Sequence, residues 1–552
     1  MARGKRDQDG QQGGDPVDWV TRAADNAIRH AGEGNLVTVS SGISPSGHVH
    51  LGNLREVLTV HFVADEIARR GVPVRHLHVW DDYDRFRKVP AGIDPSYAEH
   101  IGRPLSAVPD PTGEFPSWAE RFKAPLLSAL AEMGVEMEQI SQTERYTTGY
   151  YRDQVLNAVA RRDDIEAVMA RYRTKAPPAG EDAAAAGIPF PFKPYCRQCG
   201  RDTTTATAYD DATTTLSYTC SACGFSGTTN LSTDFEGKLV WKVDWPMRWA
   251  LEKVNFEPAG DDHATPGSSF TVGKELVTKV FGSPMPTHFG YSFVGIAGMA
   301  KMSSSRGAVP TAADALRILE APILRWLYVR RQPRQVFTID FGPEVVRLYD
   351  EWDALARKAA DPAKRDVAVL AYERASATVA AGTLPTSPVP VPFKLLSSVA
   401  DVTAGSAELI SRTVGDVGYP HSSVDDLEPR LSKAMTWTAE FVPEDERTTV
   451  RESPDLDRLA ALTEDETLWL AQLLDRLPDT FELDSLTTLI YGVPKLARGL
   501  GLDDPPTDEV KADQKQFFGL LYHLLVAAPR GPRLPTLFVA LGPDRVRSLL
   551  GG

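Results

Sequence analysis

A glycine-rich turn set between a strand pattern and a helix pattern, SGISPSGHVHLGNLRE at residues 41–56, leaves the N-terminal part of this chain few folds to adopt. The run before it, LVTVS at 36–40, is β-rich. Over 53–70, Leu54, Val57, Leu58, Phe62, Ala64, Ile67 and Ala68 recur at helical spacing, and Arg69, Arg70 and Gly71 supply a basic last turn and a glycine stop. Residues 74–80 are β-rich again. Strand, helix and strand in that order predict a parallel pair joined by a right-handed crossover. At such a junction backbone N–H groups and the helix dipole favour an anion. Gly42, Gly47 and Gly52 permit tight turning and close approach of a ligand. His50 and Asn53, three residues apart at the helix start, can donate hydrogen bonds to one phosphate.

A second loop carries complementary chemistry. Lys301, Met302, Ser303, Ser304, Ser305, Arg306 and Gly307 follow a run, YSFVGIAG, that reads as a strand. Cations, hydroxyls and loop amides after the last strand, with the histidine turn after the first, make a clamp for a polyphosphate. Between these loops KLVWKVDW also reads as a strand, and SSFTVGKELVTKVFG as a helix with serine at its start.

The cysteines are as informative. All four lie within one short stretch, Cys196-x2-Cys199 and Cys220-x2-Cys223, with Gly200 and Gly224 directly after each pair. This spacing matches a four-thiolate, tetrahedral zinc ribbon, and a full set of thiolates leaves no position for water, so the Zn2+ is expected to be structural.

Length and composition bound the rest. A chain of 552 residues exceeds one hydrophobic core, so roughly three or four domains are expected. Apolar residues at 42% and charged residues at 24% exclude a wholly disordered, collagen-like or disulfide-stapled protein. The balance of 60 basic and 74 acidic residues argues against a general nucleic-acid coat or an anionic-membrane binder, while permitting a local basic groove. No apolar window is long enough to span a membrane, and MARGKRDQDGQQGGDP lacks an apolar segment behind its basic residues. Residues 1–16 therefore read as a flexible polar tail and the chain as cytoplasmic.

Residues 90–237 read as an insertion, Pro-, Gly- and Ser-rich at 90–120, helical around 119–134 and 150–172, with a linker at 180–187 and the zinc ribbon at 193–226. Beyond Gly307 the texture is helical, and LPTSPVPVPF at 384–393 precedes an all-helical C-terminal third in which Phe518, Leu521 and Leu525 read as core.

The pair PSGHVHLGN and KMSSS resembles the two signatures of class I aminoacyl-tRNA synthetases. The blocks SGISPSGHVHLGNLRE, VWDDYDRFRKVP, WKVDWPMRW, DDHATPGSSF, MAKMSSSRG and GPRLPTLFVALG resemble the archaeal-type class I lysyl-tRNA synthetases over nearly the whole chain. Two positions depart from the class pattern: Asn53 stands where the first signature usually has histidine, and Ser304 where the second usually has lysine, leaving Lys301, with Arg306 as helper, to carry the phosphate charge.

The resemblance implies an α/β fold: a Rossmann-type parallel-sheet catalytic domain over 17–307 with the inserted zinc ribbon, a mainly helical stem-contact region over 308–383, and an all-α anticodon-binding domain over 394–552. It implies lysine activation by Mg2+-ATP and transfer to the 3′-terminal adenosine of tRNA-Lys by a monomer. His50 and Asn53 are then the α-phosphate donors, and Lys301, Ser303 and Ser304 the catalytic side of the second loop. Pro45, Gly47, Gly52, Met302 and Ser305 complete the ATP site. Gly42, Ser44, Trp241, His263 and Tyr291 form the lysine pocket. Asp81, Asp82 and Asp262 are further acceptors for an ammonium, although DDYD also reads as a solvated turn. With no Cys or His between Gly102 and Tyr195, the further metal site of some lysyl relatives is expected to be absent. Lys193, Arg197 and Arg201 read either as tRNA acceptor-end contacts or as solvating charges. The cluster Arg325, Arg330, Arg331 and Arg334 reads either as a tRNA-stem contact or as a solvated helix face. A glutamyl- or arginyl-type sister enzyme, another adenylyl-transferring ligase and a zinc-ribbon RNA-binding protein are the competing readings.

Overall fold

A computed structural model describes residues 16–172, 188–263, 268–298 and 309–551. The tail up to residue 15, the linker at 180–187 and the loop Lys301, Met302, Ser303, Ser304, Ser305, Arg306 and Gly307 lie outside the described residues. The chain forms two compact units. One comprises the described residues up to Leu316 with Leu324–Ile339 and Leu355–Leu384; the other comprises Arg317–Ile323, Asp340–Ala354 and the chain from Pro385 onward.

The first unit is built on a four-stranded, all-parallel sheet in the order Glu138–Ser141, Val74–Trp80, Val37–Ile43, Val254–Phe256. The central pair is in register from Val37 opposite Val74 to Ile43 opposite Trp80. The helices Trp19–Ala31 and Leu51–Arg69 pack on this sheet. Asp18 caps the first of them, accepting from the Thr21 N–H at 2.8 Å. The second is buried nearly all round, with Leu54, Val57, Leu58, Phe62 and Ile67 joined by the polar Thr59, His61 and Asp65, as befits a helix laid between a sheet and further chain. Its one buried guanidinium, Arg55, donates to the carbonyl oxygens of Gln332, Pro333 and Gln335, fastening the segment before the Phe337–Ile339 strand.

Several local expectations are corrected. The stretch read as one insertion supplies the edge strand Glu138–Ser141, in which Ile140 alone is buried. KLVWKVDW is a strand only over Gly237–Leu239. From Trp241 to Leu251 the chain is a helix, because Trp241, Trp245 and Trp249 repeat every fourth residue and stack along one face, with ring centroids 5.2 and 5.0 Å apart. YSFVGIAG divides into Gly290–Tyr291 and Val294–Ile296, which pair with different partners. Helix 150–172 breaks at Arg161 into Arg152–Ala160 and Arg162–Arg171. Arg325 is fully buried, donates to the carbonyls of Met133, Arg374 and Ala375, and lies over the Phe62 ring, so it is no RNA contact.

The second unit is helical. Its core gathers Leu473, Leu486, Ile490, Val493, Phe517, Leu521, Leu525, Leu537 and Phe538. Leu521 and Leu525 are core as expected, whereas Phe518 is partly buried and its neighbour Phe517 takes the inward position. Arg430 is buried and paired with Glu320 and Asp353, both at 2.8 Å. A buried guanidinium needs such full compensation to offset desolvation. Among the described residues no helix is long and apolar enough to cross a membrane.

Candidate active site and metal centre

The turn at 41–56 leaves the carboxyl end of the Val37–Ile43 strand and opens the Leu51–Arg69 helix, with Trp118 Nε1 holding it by a 3.3 Å hydrogen bond to the Ser46 carbonyl. His50 is the helix N-cap, in extended conformation. Its Nδ1 accepts from the Gly52 N–H at 3.1 Å, and Asn53 Oδ1 accepts from the His50 N–H at 3.3 Å. Each side chain thus satisfies a backbone donor at the helix start. Burial lowers the His50 pKa, so the ring is neutral, and with Nδ1 accepting, its proton sits on Nε2. The Asn53 carboxamide likewise keeps its NH2 for outward donation. Leu51 N–H donates to the Pro310 carbonyl at 3.1 Å, tying this turn to the described residues that follow the second loop.

A cleft of about 1310 Å³ lies over this turn. Gly42, Ser44, His50, Gly52, Asn53, Trp241, His263 and Tyr291 all line it. Pro45 and Gly47 are buried in the turn behind these residues. The proposed phosphate donors and the proposed lysine pocket therefore share one cavity, which is the chief requirement for an in-line reaction between two bound substrates.

The residue that sequence reasoning passed over is Glu56. Its Oε1 accepts from the Gly42 N–H at 2.8 Å and its Oε2 from the Tyr291 hydroxyl at 2.5 Å. Burial pushes its carboxyl up to about 7; the nearby Glu257 and Asp81 carboxylates add to that, and the two hydrogen bonds oppose it. A signal for it existed: Asn53 and Glu56 are three residues apart on one helix, so both face the cleft. Beneath Glu56 the cleft adjoins a recess of about 60 Å³ lined by Trp241, Trp245, Trp249, Glu252, Glu257 and Arg248. Glu257 accepts from Trp245 Nε1 at 2.8 Å and Trp249 Nε1 at 2.9 Å, and burial raises its carboxyl. Of the carboxylates here, Glu252 pairs with Arg75 at 2.8 Å, which leaves Glu56 and Glu257 beside the Arg248 guanidinium.

Asp81 and Asp82 are buried, not a solvated turn. Asp81 lines the cleft and pairs with Arg248 at 3.0 Å, and the Arg248 guanidinium lies over the Trp241 ring at 5.1 Å. Asp82 is spent on structure, accepting from Lys123, Ser141 and Thr143. His263 lines the cleft edge-on to Trp245, with centroids 5.6 Å apart, and its carbonyl accepts from Ser268, the residue before the Ser269–Lys279 helix. Asp262 is placed in the backbone only.

The four cysteines converge as the spacing requires: their sulfurs all lie within 4.8 Å of one another. Each Cys-x2-Cys turn closes by a backbone bond, Gly200 N–H to the Cys196 carbonyl at 2.7 Å and Gly224 N–H to the Cys220 carbonyl at 2.9 Å. Both glycines have positive φ, 70° and 73°, which a side chain would strain. The antiparallel strands Thr204–Asp210, Thr215–Cys220 and Ser226–Asn230 carry the module. The donor set and its closeness fit a closed tetrahedral zinc site. Of the cations around it, Lys193 lines the cleft, whereas Arg197 pairs with Asp234 and Arg201 donates to the Glu99 carbonyl.

The family described as "tRNA synthetases class I (K)" matches residues 17–378. A lysine–tRNA ligase of Streptomyces coelicolor is 52% identical over 98% of this chain and 99% of its own length. That of Thermococcus kodakarensis is 34% identical over 96% and 98%. Among solved structures, a glutamate–tRNA ligase from Elizabethkingia meningosepticum aligns with 93% of this chain and 98% of its own, at 14% identity and a TM-score of 0.42. A signature turn built on His50 and Asn53 beneath a large cleft, and a match over two lysine–tRNA ligases nearly end to end, place this chain in the class I aminoacyl-tRNA synthetases of the lysyl type.

Proposed function

We propose that this chain joins L-lysine to tRNA-Lys in two steps at the cleft. The lysine carboxylate attacks the α-phosphorus of ATP and pyrophosphate leaves; a ribose hydroxyl of the terminal adenosine, by class habit the 2′ one, then attacks the lysyl carbonyl and AMP leaves. The observation that carries the assignment is Glu56: a carboxyl group fixed by Gly42 and Tyr291, walled by Trp241, and set one helical turn from the phosphate donors. It is the counter-ion for the ε-ammonium, with Trp241 and Tyr291 offering aromatic faces to the same cation. Ser44 and His263 line the remainder of the lysine site.

His50 Nε2–H and the Asn53 NH2 donate to the α-phosphate as its charge grows; Gly52 lets the ATP approach the turn, and Pro45 and Gly47 shape the turn from behind. Lys301, Ser303, Ser304 and Ser305, with the Met302 backbone, hold the departing pyrophosphate, a role supported by the sequence motif. Mg2+ on ATP spreads the phosphate charge. The region 308–383 meets the tRNA stem and 394–552 the anticodon. We place the chain in the cytoplasm as a monomer.

The test is formation of aminoacyl-tRNA from total tRNA across all twenty amino acids, paired with ATP–pyrophosphate exchange with and without tRNA. Lysine alone is expected to be charged. Charging of a different amino acid overturns the pocket assignment, and inactivity under every condition overturns the ligase reading. For the ribbon, metal analysis of the purified chain is expected to return one zinc, lost on Cys196→Ser substitution. A metal-free wild type, or iron in its place, overturns the zinc assignment.

A further inference from the structure

Arg55 and Glu56 are consecutive on the Leu51–Arg69 helix and reach different places. Glu56 lines the cleft, whereas Arg55 turns away from it and is 3% exposed. The Arg55 guanidinium is held by backbone: it donates to the carbonyls of Gln335 at 3.0 Å, Gln332 at 2.8 Å and Pro333 at 2.6 Å, and lies 5.0 Å over the Phe337 ring. Burial lowers its pKa to about 10, so it remains a cation across the neutral range. The three carbonyls belong to one turn, 332–335, which closes on itself by the Gln335 N–H to Gln332 carbonyl bond at 2.9 Å. Carbonyl partners fix the course of a backbone whatever its side chains are, so Arg55 sets where this turn lies.

The same turn fastens a wall of the cleft. Ser292 N–H donates to the Pro333 carbonyl at 2.9 Å, the oxygen that also accepts from Arg55. The buried Ser292 hydroxyl lies 2.7 Å from Asp261 Oδ2 and 2.9 Å from the Arg334 carbonyl. Ser292 therefore bridges the turn to the chain around Gly260, with which Tyr291 is in parallel register. Space is tight there: a Cβ on Gly290 would come 2.9 Å from Asp261 Oδ1. Two residues beyond Ser292, Val294 pairs with Phe337 and continues the attachment. Tyr291 is thus set between fastened neighbours, and its hydroxyl reaches Glu56 Oε2 at 2.5 Å. The path leaves the helix at Arg55, crosses the turn, and returns through Ser292 and Tyr291 to the very next residue, Glu56.

The geometry points to Arg55 as a positioning residue for the lysine pocket: by anchoring the turn 332–335 it fixes Ser292, and through Ser292 the Tyr291 hydroxyl that orients Glu56. The proposal rests on the ligase reading and deepens it. A planar guanidinium serves several carbonyls at once, whereas an ammonium is a single point on a flexible stem, so Arg55→Lys keeps the charge and loses the span. Full-length Arg55→Lys, Ser292→Ala and the double variant are compared with wild type by equilibrium dialysis of lysine, by ATP–pyrophosphate exchange with tRNA present, and by thermal unfolding. Each single variant is expected to bind lysine roughly tenfold more weakly, the low end of the cost of losing a hydrogen bond to a charged group, while the KM for ATP moves less than about threefold. The double variant is expected to be no weaker than the weaker single, because both substitutions cut one path. A pH profile supplies a readout that a folding role would not move. Burial raises the Glu56 carboxyl to about 7, and the Tyr291 hydrogen bond opposes that rise. Loosening the bond lets the carboxyl rise further, so the pH below which kcat/KM for lysine falls is expected to move up by about half a pH unit or more. Around Glu56 the groups that also titrate or carry charge are Asp81, Arg248, Glu252, Glu257, His263 and Tyr291; Tyr291 alone of these adjoins Ser292 in the chain, so the movement reports its bond. A less stable Arg55→Lys whose folded fraction keeps the wild-type lysine affinity and pH profile shows a role in folding only and overturns the proposal. A KM for ATP that rises with that for lysine marks loosening of the whole helix and overturns it too. If Arg55→Lys does not fold, Ser292→Ala decides: lysine affinity and pH profile both unmoved there overturn the proposal. A wild type that charges a different amino acid loses the lysine reading alone, and the same comparisons made with that amino acid decide the role of Arg55.

Discussion

Glu56→Gln is expected to raise the KM for lysine by about 100-fold or more while the KM for ATP moves less than about threefold, because removing one partner of a desolvated ion pair costs about 3–5 kcal/mol. Glutamine keeps the shape and one acceptor oxygen, so either the Gly42 N–H or the Tyr291 hydroxyl stays bonded and the pocket stands; only the charge is removed. The pH dependence has a definite sign. Burial raises the Glu56 carboxyl to about 7, so below that pH the free enzyme holds a proton there, and lysine, whose ε-ammonium is charged throughout, must displace it. The kcat/KM for lysine is expected to fall toward tenfold per pH unit below about 7 and to level off above it. In the glutamine variant that limb disappears. The neighbours Asp81 and Glu257 also titrate upward through burial, but Arg248 holds the first and two indole N–H groups the second, so neither replaces Glu56 as the counter-ion facing the cleft. A lysine KM unmoved by the substitution sinks the assignment.

The contrast between Glu56 and the cysteines explains what was legible in the sequence. Cys196, Cys199, Cys220 and Cys223 announce their cluster because the ligand spacing is local, and the glycines that shape each turn are adjacent. The Leu51–Arg69 helix and the Val74–Trp80 strand were readable for the same reason, their signals being side-chain period and terminal residues. Glu56 stands in plain view in the signature turn, yet its partners come from 14 and 235 residues away, so its role exists only once the chain is folded. Arg325 misled in the opposite direction. Beside Arg330 and Arg331 it reads as a surface cation, but three carbonyls and the Phe62 ring make a buried site for it. The Glu138–Ser141 strand was invisible because a short edge strand with one buried side chain carries no alternation to detect. The KLVWKVDW run carried two periods at once, and packing of tryptophans four residues apart along one face selected the helical one.

His50→Ala is expected to lower kcat for lysyl-adenylate formation by about 100- to 1000-fold, the usual cost of losing one aligned donor to a developing oxyanion, with the affinities for lysine and ATP little changed. Alanine also removes an N-cap, worth about 1 kcal/mol of local stability, so the alanine variant alone leaves a structural explanation standing. His50→Asn separates the two. Asparagine is a good N-cap and accepts from the same backbone N–H, but its short side chain cannot also present a donor where Nε2 lies. If the histidine served only the helix, the asparagine variant recovers wild-type kcat; as a phosphate donor, its loss leaves both variants comparably slow. The hydrogen bond from the Gly52 N–H to Nδ1 adds a further constraint, since it fixes the proton on Nε2 without help from a carboxylate. Burial lowers the His50 pKa, so this tautomer persists as pH rises through neutrality, and protonation at lower pH breaks the Gly52 contact by placing a hydrogen on Nδ1. Any pH limb in kcat for adenylate formation that traces to His50 is therefore expected below its ordinary range near 6.5, on the acid side of the lysine-binding limb set by Glu56. Full kcat in His50→Asn, or a His50-dependent limb above neutral pH, overturns the donor role.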